Sequence, residues 1–291
     1  MATTRVWIGT TAAHVGDFDY ADNWNPSGSP ADGDTLIMEL SGQDVLSGFD
    51  QSTITPAALH VRQSYTGKIN DYLTFLGLTA LYVGEHFGSD SPAGSSRVLV
   101  DCGSEQATTI IVANSAASSA DANLPPVRVL VANAGAVMHL RRGKVGLACE
   151  TGQTATLSAI HQSWLTSQAS DSNLIVGAGV TLTSLTKTGG VALARCALTT
   201  LTHGGGSLET GGTGAITTIN ANGGTMTLNS SGTIGTVNGN GAAVDLTKST
   251  LARTIITCIL NGGSLAYDPA VVTITNKITA STAVKLSAAA A

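Results

Sequence analysis

The sequence predicts an all-β chain, a right-handed parallel β-helix (β-solenoid) with an N-terminal capping module, and three observations carry that prediction. The first is composition. Of 291 residues 43% are apolar, enough for a core, yet only 4% are aromatic and 11% charged, against about 25% charged in ordinary globular domains. Thr, Ser, Asn and 34 glycines replace the missing charge, and these residues suit strands and tight turns better than helix interiors.

The second observation is an internal repeat. Leu182-Thr-Ser-Leu185, Leu198-Thr-Thr-Leu201, Ile216-Thr-Thr-Ile219, Ile234-Gly-Thr-Val237 and Ile255-Ile-Thr-Cys258 form a recurring unit with apolar residues at its two ends, in steps of 16, 18, 18 and 21 residues. The third is a fixed offset. Seven residues after each unit begins stands a glycine, at Gly189, Gly205, Gly223, Gly241 and Gly262, and all but Gly241 are followed by a second glycine. Short alternating apolar stretches follow each corner, Val191 with Leu193, Leu208, Met226 with Leu228, Val244 with Leu246, and Leu265 with Tyr267.

Each turn of the coil is therefore expected to supply one strand around the apolar pair, a glycine corner and a second strand with period-two alternation. Glycine gives the corner positive φ without a Cβ penalty. Stacking at about 4.8 Å sends backbone hydrogen bonds between turns and lines up apolar columns inside. Leu185, Leu201, Ile219, Val237 and Cys258 should form one such column. Two apolar residues three apart cannot both face inward from a straight strand, so a bend or bulge is expected within each unit.

Upstream the repeat weakens. Leu157-Ser-Ala-Ile160 and Val127-Arg-Val-Leu130 offer the same apolar spacing, and residues 98–102, 109–113 and 129–132 read as strands. Residues 115–123 have no apolar period and run into Pro125-Pro126, which marks a loop or subdomain boundary. The expected organisation is a capping module over 1–40, a β-rich first part of the solenoid or subdomain over 41–126, and a repeat-built solenoid over 127–291. No helix-length window keeps the i, i+3, i+4, i+7 apolar spacing, so helix should be a minor component.

The opening stretch differs from the rest. It holds Trp7-x-Gly9, Gly16-Asp17-Phe18, Ala21-x-Asn23-Trp24, Pro30 and Gly33-Asp34-x-Leu36-Ile37-Met38. Over these roughly 38 residues it resembles the leading module of phage and bacterial surface β-helix proteins, in which a Trp, a Gly-rich turn, an Asn-Trp pair and a Pro, Gly-Asp, strand sequence begin the solenoid. The first coil of a solenoid exposes an apolar end and an unpaired strand edge. Trp7 and Trp24 are large enough to plug that end, and Gly33-Asp34 suits the tight turn into a strand over 35–40. A sugar-stacking aromatic platform is the rival reading of the two tryptophans.

Several function classes are disfavoured. A net charge of −5 argues against a nucleic-acid binder, which needs clustered Lys and Arg. The one basic cluster, Arg141, Arg142 and Lys144, reads as a solvated turn beside Gly143 and Gly146. Residues 1–16 show no charged start and apolar run of a secretory signal, and no apolar run of about 20 residues suggests a membrane span. Cys102, Cys149, Cys196 and Cys258 form no CxxC pair, and His14, His60, His86, His139, His161 and His203 form no HxH or HExxH pattern. Reduced core cysteines, no metal and no cofactor are expected.

One acidic column invites chemistry. Glu209, Thr227 and Asp245 lie 18 residues apart and alternate with inward Leu208, Met226 and Val244, so they should point outward. Two turns separate the carboxylates by roughly 9 to 10 Å, at the upper edge of the roughly 6.5 to 9.5 Å of an inverting glycosidase. No aromatic side chain for stacking a sugar lies nearby in sequence except Tyr267. Glu209 and Asp245 are thus the candidate catalytic pair, weighed against surface carboxylates kept for solubility.

The resemblance and these exclusions lead to one expectation. The chain is a non-enzymatic structural component of a bacteriophage virion, a capsid decoration or a head or tail fibre protein, made in the host cytoplasm and assembled as a homotrimer with other virion proteins. A tail spike that binds or cleaves a host surface glycan is the alternative, and a bacterial surface adhesin the second alternative.

Overall fold

The structure, a computed structural model, describes residues 1–84, 97–113, 125–163, 172–248, 250–279 and 285–288. His86 and the boundary segment 115–123 lie outside them. The described residues are all-β with predominantly parallel pairing, and their helical content is one 3-10 turn, Ala21–Asn23. Two compact units divide the chain, Met1–Leu157 and Ser158–Ala291.

In the first unit Thr4–Trp7, Thr35–Met38, Ala58–Val61, Ala80–Val83, Thr109–Ala113 and Val137–Leu147 pair in parallel in that order. Their register stacks Leu36, Leu59, Leu81, Ile110 and Met138 in one buried column and Met38, Val61, Val83, Val112 and Leu140 in another. Alternation along each strand turns the intervening His60, Tyr82, Ile111 and His139 outward, while Ile37 at the same register position is buried. The His60 and Tyr82 rings stack there with centroids 4.5 Å apart. A second row runs Asp50–Gln51, Leu73–Phe75, Val98–Asp101 and Val127–Leu130, then pairs onto Val145–Leu147. Parallel stacking in register thus begins at Thr4, well before residue 127.

Two local expectations are corrected. Val127-Arg-Val-Leu130 is not an apolar pair with a three-residue spacing, because Val127 and Val129 face inward and Leu130 is half-buried, the plain period of a strand. Arg141, Arg142 and Lys144 do not form a turn. They lie within the strand Val137–Leu147, where a register shift between Leu140 and Arg142 lets the charged side chains leave the core.

In the second unit the predicted repeat is the register. Leu185, Leu201, Ile219, Val237 and Cys258 stand opposite one another on successive parallel strands and none is exposed. Leu182, Leu198, Ile216, Ile234 and Ile255 form the companion buried column. The ladder pairs Leu182 with Leu198 and Ser184 with Thr200 while passing over Thr183 and Thr199, which is where the strand bends to bring both apolar residues inward. A second row, Ser172–Val176, Val191–Ala194, Ser207–Thr210 and Thr225–Leu228, pairs in parallel and continues onto the later halves of Ile234–Asp245 and Arg253–Tyr267.

The corners refine the glycine reading. Positive φ falls on the second glycine of each doublet, at Gly190, Gly206, Gly224 and Gly263. Two corners lie inside unbroken strands, Gly241, with φ +140°, in Ile234–Asp245 and the doublet Gly262-Gly263 in Arg253–Tyr267.

Candidate functional site

The column picked out for chemistry lies in the second unit as its 18-residue spacing predicts: Glu209 pairs with Thr227 and Thr227 with Asp245. Leu208, Met226 and Val244 point into the core behind them, Glu209 is exposed and Asp245 half-buried. The outer surface here is a groove of about 480 Å³ with Val191, Ser207, Thr225 and Lys248 among its walls beside the two carboxylates.

Each carboxylate is already engaged. Asn229 Nδ2 donates to Glu209 at 2.8 Å, and the Thr247 amide and hydroxyl donate to Asp245 at 2.8 and 2.7 Å. Partial burial raises the Asp245 pKa, but the Thr247 hydroxyl and amide and the Lys248 charge outweigh it and leave the carboxyl below its ordinary value. Asp245 is thereby held ionised, the reverse of what a general acid needs. The register keeps the pair two strand spacings apart, roughly 9 to 10 Å. Among the described residues no aromatic ring lines the groove, and Tyr267 is taken up by Lys277, whose Nζ meets its hydroxyl at 2.5 Å and lies 4.7 Å from its ring centre.

The residues assigned to the end cap are gathered in the first unit. Trp7, Phe18 and Trp24 form a buried aromatic cluster with centroids 4.8 to 5.8 Å apart. Trp24 Nε1 donates to the Phe18 carbonyl at 2.8 Å and Trp7 Nε1 to the Gln43 carbonyl at 3.2 Å. Neither indole has an open face for a sugar. Gly33 takes φ +75°, and the buried Asp34 carboxylate accepts from the Thr3 amide at 2.7 Å and from Arg5 Nε at 2.6 Å, tying the first strand to the start of Thr35–Met38.

A second polar constellation escaped the sequence reading. Lys187 and His203 are in register on neighbouring strands of the second unit, followed by Ala221 and Gly239, and neither side chain reaches solvent. Lys187 Nζ donates to the carbonyls of Gly190 and Gly205, both at 2.6 Å, and burial lowers its pKa to about 8. Burial, then the Lys187 charge, push His203 down to about 4 against an opposing influence of the Thr225 backbone. At another place in the second unit, buried Arg253 donates to the carbonyls of Leu228, Ser230 and Leu246. Neither Lys187 nor Arg253 pairs with a carboxylate among the described residues. The signal was present in the repeat: from inward Leu185 and Leu201, period-two alternation turns Lys187 and His203 inward as well.

Cysteines are free, with Cys102, Cys196 and Cys258 buried and Cys149 half-buried. Burial pushes the Cys102 thiol up and those of Cys196 and Cys258 to about 11, so these three are poor nucleophiles. Among the described residues no three His, Cys, Asp or Glu side chains gather into a metal-binding group, and no helix is long and apolar enough to cross a membrane. No protein-family model matches the chain, and no curated protein or solved structure matches it.

Proposed function

We propose that the chain is a right-handed parallel β-solenoid, closed at its start by the Trp7, Trp24, Gly33 and Asp34 module, that serves as a non-enzymatic structural component of a bacteriophage particle, a capsid decoration or fibre protein acting as a homotrimer. The observation that carries this reading is the regularity of the second unit's outer surface. Asn222, Asn240 and Asn261 hydrogen-bond in a ladder at 2.9 Å per step, Asn220 and Asn238 in another, and Ser184, Thr200, Thr218, Thr236 and Thr257 stand in register. Such a surface is polar and nearly free of charge, and it packs against copies of itself at low desolvation cost.

The second reading is a tail spike that binds or cleaves a host polysaccharide, and the groove holding Glu209 and Asp245 favours it. The two readings separate on one assay. Purified chain and its Glu209→Gln, Asp245→Asn double variant are incubated with host surface polysaccharides and product length is followed. The structural reading expects no shortening by either protein. Cleavage by the parent chain that the double variant loses would replace it with the depolymerase.

A further inference from the structure

We infer that Lys187 and His203 form an acid-sensitive joint in the second unit: protonating the His203 imidazole sets a second positive charge one strand spacing from the Lys187 ammonium, inside a core where no carboxylate among the described residues pairs with Lys187, and loosens the glycine corner that Lys187 closes. The geometry has three parts. Lys187 and His203 are direct partners in the parallel ladder, so their Cα atoms are roughly 4.8 Å apart. Both side chains are fully buried. The ammonium sits in space that only glycine leaves open, since a Cβ on Gly206 would stand 2.7 Å from Lys187 Nζ.

His203 differs from Lys187 in its partners. The lysine has two carbonyl acceptors, whereas neither ring nitrogen of His203 makes a hydrogen bond with good geometry. The groups bearing on the imidazole are Lys187 on one neighbouring strand, the uncharged Ala221 on the other and the Thr225 backbone. A neutral imidazole tolerates this site as an apolar ring. An imidazolium would have two donors with only the Thr225 backbone to receive one of them, and a like charge beside it, a combination the interior penalises heavily.

The sign follows from linkage. The folded chain holds the imidazole neutral below its ordinary 6.5, down to about 4, so stability is full above about 6.5 and is lost as pH falls toward 4. The bound proton belongs to the loosened state. Lys187 keeps its charge through this range, because its pKa of about 8 lies above it, and so the repulsion is present whenever His203 protonates.

Thermal melts of the full chain between pH 7 and 4, for the parent and for His203→Leu, test the joint, together with the imidazole proton shifts of His203 followed by NMR. The parent should lose at least about 5 °C more than the variant over that range, and His203 should stay neutral in the folded chain until the protein begins to open. Lys187→Met should move the His203 titration upward. Parallel melting curves for parent and His203→Leu would overturn the inference. If His203→Leu does not fold, an imidazole that titrates near 6.5 in a fully folded parent overturns it equally.

Discussion

Leu201 and Ile219 stand opposite each other on neighbouring parallel strands, and neither side chain reaches solvent. Thr218, one residue earlier, pairs with Thr200 on the outer face and is half-buried. Facing alone should therefore decide the cost of a charge. Ile219→Asp should destabilise by more than about 4 kcal/mol, because it buries an unpaired carboxylate in an apolar column, while Thr218→Asp should stay within about 1 kcal/mol. Denaturant titration of both variants checks this, and equal losses would contradict the assigned facing.

The three consecutive glycines Gly204, Gly205 and Gly206 are not equivalent. Gly206 takes φ +71° with the Gly190 carbonyl where its Cβ would stand, whereas Gly204 has nothing nearer than 3.5 Å. Gly206→Ala should cost at least about 2 kcal/mol through strain and collision, and Gly204→Ala about 0.5 kcal/mol or less. Melting temperatures of the two variants distinguish them.

Lys187 gives a pH dependence on the alkaline side. Its pKa falls from an ordinary 10.5 to about 8 on folding, so between those values the unfolded chain binds more protons and stability rises with pH. The gain should be on the order of 3 kcal/mol between pH 8 and 10.5, with no contribution below pH 8, where both states are protonated. Lys187→Met should flatten this part of the stability profile.

The outer ladders predict self-association. Light scattering at micromolar concentration should give a mass three times that of the chain, as expected of a cyclic assembly whose flanks are polar and weakly charged. A monomer mass would contradict the trimer while leaving the fold untouched.

The second unit was legible because its sequence repeats are nearly equal in length. Steps of 16 to 21 residues keep Leu185, Leu201, Ile219, Val237 and Cys258 aligned in sequence as they are in space. The first unit hid the same parallel stacking. Its partners are Thr4 and Thr35, Thr35 and Ala58, Ala58 and Ala80, Ala80 and Thr109, and Thr109 and Val137, so the step varies from 22 to 31 residues, and loops of unequal length erase the period. Glu209 and Asp245 were placed by the 18-residue spacing, but their engagement by Asn229 and Thr247 depends on how the strand ends curl back. Lys187 and His203 were passed over because residue type suggests a surface position. Only the carbonyls exposed at a glycine corner make a buried ammonium affordable, and those appear once the turns are stacked.

Location on the particle tests the central claim most directly. Virions purified from a culture expressing the chain from its native genome, labelled with an antibody to it and viewed by electron microscopy, should carry the label at regular positions on the capsid or at fibre sites. Label found only in the soluble lysate or on the host envelope, with none on the virions, would contradict the assignment to the phage particle.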